Sequence, residues 1–97
     1  MALNIPELKK VLTPVFKDYG ITRAVIFGSA AKDTATDKSD LDLLVDSSIH
    51  GLKFVGFMEA VREIVGVPVD IFDVTHIDAG SRIDREIHET GVTIYEK

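Results

Sequence analysis

The residues best placed to do chemistry in this 97-residue chain are Gly28-Ser29, the pair Asp40 and Asp42, and Asp70. Ten residues separate Ser29 from Asp40. Ile21 to Phe27 is β-branched and aromatic and predicts a strand; Leu41 to Val45 predicts a second. In a strand, residues two apart point to one face, so Asp40 and Asp42 project together, about 6–7 Å apart along the backbone. Leu41, Leu43 and Val45 then face the core. Two carboxylates side by side repel and call for a compensating charge. A divalent cation supplies one, and hard oxygen ligands favour Mg2+ or Mn2+. Asp70 stands between Val69 and Ile71 in a third predicted strand, Val67 to Phe72. If that strand lies beside the second, three carboxylates converge on one patch. Such a patch suits a two-metal site, which activates an attacking hydroxyl and stabilises charge developing at phosphorus.

Gly28-Ser29 supplies the other half. Glycine lets the backbone approach a ligand closely and take positive φ. Ser29 at the start of a helical turn would cap it, and the free N–H groups there bind phosphate oxygens. Lys32, one turn on, adds a positive charge, though a surface lysine is as common a reading. A plain strand–helix turn would also use Gly-Ser. The acid pair at the right spacing favours the phosphate reading. Among the other acids, Asp73 falls on the opposite face from Asp70 and reads as a cap of the following turn. Asp46 shares the Asp42 face but sits at the strand end and reads as solvated, as do Asp33 and Asp37. His50, His76 and His88 lack metal-ligand spacing and read as structural or exposed.

The elements that must position these residues follow from periodicity. Ile5, Leu8, Leu12, Val15 and Tyr19 fall at helical spacing, which predicts a helix over 5–19. Asn4 with Glu7 forms a candidate cap, Gly20 a stop, and Pro14 is expected to kink or split the helix. The stretch Ala30 to Ser39 reads as a loop, with room for a short helix after Ser29. Phe54, Phe57, Met58, Val61, Ile64 and Val65 give a second helix, 52–65, a wide apolar face that suits burial against a sheet. Pro68 marks the third strand as an edge or places it at a strand's start. Asp78 or Ser81 caps a third helix running to Thr90, with Arg82–Glu86 and Arg85–Glu89 at i,i+4. Arg82, Arg85 and Lys97 read as helix-surface and tail charges that a partner could use. Val92 to Tyr95 predicts a fourth short strand. The alternation indicates an α/β (α+β) fold, a small mixed sheet with flanking helices.

Composition bounds the rest. Ninety-seven residues make one domain, 1–97. Apolar residues are 45% and charged residues 28%, ordinary for a globular protein. No apolar run approaches the roughly 18 residues of a membrane span, and the N-terminus lacks a signal-peptide pattern. The chain has no Cys, which excludes a disulfide scaffold, a thiol nucleophile and Cys-ligated metals, and fits a cytoplasmic protein. The net charge of −5 argues against a general nucleic-acid binder, yet a single nucleotide remains compatible with it.

Gly28-Ser29-Ala30-Ala31-Lys32 with Ser39-Asp40-Leu41-Asp42-Leu43 resembles the signature of the minimal nucleotidyltransferases of the DNA polymerase β-like superfamily. That pattern is an apolar residue, Gly, then Gly or Ser, a spacer of roughly ten residues, acid–apolar–acid, and a third acid on a later strand. The resemblance spans essentially the whole chain, to the tail Glu89-Thr90-Gly91-Val92-Thr93-Ile94-Tyr95. It departs at Lys32 and Asp33, where the family usually carries Arg and Gly. The resemblance implies the nucleotidyltransferase fold, Mg2+ as two ions, and a nucleoside triphosphate, usually ATP. It implies nucleotidyl transfer to a hydroxyl with release of pyrophosphate. Asp40 and Asp42 would bind both metals, and Asp70 would bind the catalytic metal and help deprotonate the acceptor. Gly28 and Ser29 would hold the β- and γ-phosphates. The resemblance also implies a HEPN-domain protein partner, for which the chain acts as antitoxin by adenylylating it or by covering it.

Three functions follow as expectations. The first is a metal-dependent enzyme that moves AMP from ATP to a protein hydroxyl. With no second domain expected, the acceptor or the rest of its site comes from a partner or a second copy of the chain. The second is a catalytically silent antitoxin acting by steric cover, and the third a structural domain whose acids hold a cation.

Overall fold

The computed structural model describes residues 4–28, 41–66 and 68–97. Helix α1, Ile5–Asp18, is capped by Asn4, whose side chain accepts from the Glu7 N–H. It buries Leu8, Leu12, Val15 and Phe16 along one face. Pro14 does not split it: α1 runs on as one helix. The missing N–H falls on the exposed side of the helix, while the buried stripe on either side of Pro14 stays anchored to the sheet.

Strand β1, Ile21–Phe27, pairs antiparallel with β2, Leu41–Ser47. Helix α2, Leu52–Val65, then carries the chain back, so that β3, Val69–Asp73, joins β2 in parallel. A helical crossover is the usual way to join parallel neighbours. A 3-10 turn, Val74–His76, follows, then α3, Arg82–Thr90, and β4, Val92–Glu96, which pairs antiparallel with β1. The sheet order is β3-β2-β1-β4. Pro68 thus precedes an edge strand, whose backbone loses no ladder bond to it.

Both faces of the sheet are covered. On one, Ala24, Ile26, Leu41, Leu43, Val45, Val69 and Ile94 pack with the apolar stripes of α1 and α2, including Phe16 and Phe57. On the other, Val25, Phe27 and Leu44 form a smaller cluster against Phe72, Val74, Ile77, Ile83 and Ile87. The sides alternate along β2 and from Ala24 to Phe27 of β1 as the pleat requires, while a register shift between Ile21 and Arg23 puts Ile21 on the same side as Ala24. Leu44, whose face the sequence assigned to the acids, is buried because α3 and the turn before it cover that face.

Candidate active site

The topology gathers one end of the sheet. The end of β1 and the starts of β2 and β3 lie together, because β1 runs against β2 and β2 runs with β3. Asp42 on β2 is paired in register with Asp70 on β3, and with Phe27 on β1 at its other side. Adjacent strands lie about 4.8 Å apart, so the two carboxylates rise from neighbouring positions of one pleat. Val69 and Ile71 pack into the larger core while Phe72 packs on the α3 side, so Asp70 shares the α3 face with Asp42. Asp42 is half-buried and Asp70 exposed. The alternation read from the sequence holds for both. Asp40, Ser29 and Lys32, like Asp33, Asp37 and the short helix after Ser29, lie outside the described residues.

Gly28 closes β1 with φ +79°. A Cβ there would stand 2.6 Å from Asp42 Oδ2 and 3.1 Å from Glu86 Oε1. The space a side chain would fill is therefore lined by two carboxylates, from the sheet and from α3. Thr90 fixes the same corner: its hydroxyl accepts the Gly28 N–H at 2.9 Å and donates to the Glu86 carbonyl at 2.7 Å. The last turn of α3 is thereby tied to the end of β1.

An open cleft of about 510 Å³ runs between sheet and helix, with Phe27, Asp42 and Phe72 on one wall and Ser81, Arg82 and Glu86 on the other. Sequence reasoning missed Glu86 and Arg82, treating them as a surface pair. The structure corrects this. Neither Arg82–Glu86 nor Arg85–Glu89 closes to ion-pairing distance; α3 instead pairs His88 with Asp84 at 3.3 Å. A signal was available in the i,i+4 spacing, which puts Arg82 and Glu86 on one helix face along with Ile83 and Ile87, the residues that dock α3.

The remaining sequence readings fall into place. Asp73 caps the 3-10 turn, accepting from the Thr75 N–H at 2.9 Å and its hydroxyl at 2.7 Å. Ser81, rather than Asp78, caps α3. Asp46, His50, His76 and His88 are exposed, although His76 reaches the rim of the cleft. Among the described residues no three acidic or histidine side chains converge closely enough to hold a metal ion by themselves. Asp42 and Asp70 offer carboxylate oxygens only, a donor set that fits a hard cation such as Mg2+ and not a softer one. No described helix is long and apolar enough to cross a membrane.

Comparison with known proteins agrees with this geometry. The family model described as polymerase beta, nucleotidyltransferase, matches residues 10–97. A protein of Methanocaldococcus jannaschii, provisionally named protein adenylyltransferase MJ0435, is 32% identical over 77 residues, covering 77% of this chain and 83% of the relative. Among solved structures, a chain of a toxin–antitoxin complex with AMP-PNP superposes with a TM-score of 0.76 at 14% identity, covering 92% of this chain and 73% of that one. A chain from the complex of a tri-AMPylated Shewanella oneidensis HEPN toxin with an MNT antitoxin gives 0.71 at 11% identity, over 96% and 73%. These two likenesses are of fold. The family match and the M. jannaschii relative go further, and with the glycine turn and the in-register acids they make this chain a member of the polymerase β-type nucleotidyltransferase family.

Proposed function

We propose that the chain is a metal-dependent adenylyltransferase that moves AMP from ATP to a hydroxyl of a partner protein. The observation that carries this reading is the register of Asp42 with Asp70 at the sheet end where Gly28 turns the chain. In this reading Asp40, Asp42 and Asp70 hold Mg2+, as two ions, or Mn2+ in its place. When bound, the metal neutralises phosphate charge and lowers the pKa of the attacking hydroxyl.

The chain's own residues do the rest. Gly28 and Ser29 receive the β- and γ-phosphates, since no Cβ at Gly28 obstructs their approach, and Lys32 adds a positive charge beside them. The acceptor oxygen bonds to the α-phosphorus as the bond from that phosphorus to pyrophosphate breaks. The acceptor proton passes to an Asp70 carboxylate oxygen, which is exposed and can release it to water. Held in line, the reactants need little further catalysis beyond placement and charge.

The partner proposed is a HEPN-domain toxin, for which this chain serves as antitoxin. Support comes from the adenylyltransferase name of the M. jannaschii relative and from the AMPylated HEPN toxin in the S. oneidensis complex. The acceptor site is completed by that partner or by a second copy of this chain.

The test combines the protein, Mg2+, α-labelled ATP and the product of any adjacent reading frame, with Asp42→Asn alongside. Label on the partner with the wild type, and a loss of about 10³-fold or more with Asp42→Asn, is expected. Full transfer by a folded Asp42→Asn protein sinks the assignment. Neutralisation of the partner that needs no ATP and survives Asp40→Asn points instead to steric cover.

A further inference from the structure

Arg82 sits oddly for a residue of the helix surface. It is the first residue of α3, directly after the Ser81 cap. A cation there opposes the helix dipole, which favours acids in the first turn and bases in the last. Asp84 early and His88 late follow that rule, whereas Arg85 near the start and Glu89 in the last turn, like Arg82, do not. Arg82 does not recover the loss by pairing. Its i+4 neighbour Glu86 stays beyond ion-pairing distance, and Arg82 has no hydrogen bond or ion pair among the described residues. Arg82 instead lines the cleft that holds Asp42 and Glu86, the one Lys or Arg among the described residues that does so. What sets Arg82 apart from Arg85 is this position: an unpaired arginine beside acidic side chains in a cleft is placed to meet an anionic ligand brought there.

We infer that Arg82 is a substrate-binding residue whose guanidinium grips the phosphate tail of the incoming nucleotide from the α3 wall, opposite the carboxylates of the sheet. This rests on the adenylyltransferase reading and adds to it a specific ligand contact. The chemistry matches on both sides. A triphosphate brings several negative oxygens into a cleft whose sheet wall is acidic, and Arg82 is the one Lys or Arg among the described residues lining it. A planar guanidinium makes two parallel hydrogen bonds to phosphate oxygens, with charge on both partners. It would hold the pyrophosphate portion in particular. AMP lacks that portion and would gain little from Arg82.

Calorimetric titration of the full chain with ATP, AMP and inorganic pyrophosphate, each with Mg2+, tests this. Arg82→Ala should weaken ATP and pyrophosphate about tenfold while moving AMP less than about twofold. Arg82→Lys should recover part of the loss, because the charge survives without the fork. Arg85→Ala, one turn position away and outside the cleft, should bind all three as the wild type does. Arg82 is exposed, so circular dichroism and the urea midpoint should stay at wild-type values. If Arg82→Ala keeps wild-type affinity for ATP and pyrophosphate, the role of Arg82 is overturned and the adenylyltransferase reading stands. If the wild type binds neither ATP nor pyrophosphate, both fall.

Discussion

Gly28 joins backbone conformation to site chemistry in a single residue. Its φ of +79° lies in the left-handed region, where a side chain costs about 1–2 kcal/mol. A methyl group would in addition meet Asp42 Oδ2 at 2.6 Å, and the carboxylate would have to move. Gly28→Ala is therefore expected to lower stability by about 1–2 kcal/mol in urea unfolding. Its transfer rate should fall further, by about 10²-fold, since displacing a reacting group by an ångström costs that much. Wild-type rate in a folded Gly28→Ala protein would separate the turn from the chemistry. At this scale the sequence was a good guide to where Gly28, Asp42 and Asp70 are placed. Each is fixed by local rules: positive φ at a strand end, and alternation within a strand. Glu86 and Arg82 escaped because the surface they face lies across the cleft on distant strands, and only the docking of α3 decides which helix face meets the acids.

Element boundaries were legible where composition changes abruptly. The run Ile21–Phe27 ends at a glycine turn, and α2 ends at Gly66, which adopts the left-handed cap conformation. Pro14 does not split the helix because the helix is held by its neighbours, a constraint outside its own sequence. The placement of α3 was equally illegible. It depends on Thr90, whose hydroxyl bridges the Gly28 N–H and the Glu86 carbonyl. Thr90→Val keeps the shape and removes both bonds, leaving the Gly28 N–H without that partner. A loss of about 1–3 kcal/mol is expected. Asn4→Ala removes the α1 cap and costs about 1 kcal/mol. The two variants should part in activity. Thr90→Val should lower transfer because α3 carries one wall of the cleft, and Asn4→Ala should leave it unchanged. Equal effects on transfer, measured at a temperature where both are folded, would mean that α3 does not position the site.

The whole molecule is lopsided about its sheet. The α1–α2 side holds most of the fully buried side chains, among them Phe16, Phe57, Leu43 and Val61. Among the described residues, the α3 side has three that are buried, Val25, Phe27 and Leu44, and α3 itself contributes none that is fully buried. Apolar burial is the main stabilising term, so the two sides should differ in local stability. Phe57→Ala, in the larger core, is expected to cost about 3–5 kcal/mol and to threaten the whole fold. Ile87→Ala, which loosens α3 from the smaller cluster, should cost less and act chiefly on the helix. Hydrogen exchange under native conditions reads the difference directly. Amides of α3 should exchange through a local opening well below the free energy of global unfolding, while those of β1 and β2 exchange only with the whole molecule. Because α3 carries Arg82 and Glu86, that opening would also widen the cleft, and Mg2+ with ATP should slow α3 exchange selectively. If α3 amides exchange at the global rate with and without nucleotide, the molecule opens as one unit and the cleft is rigid.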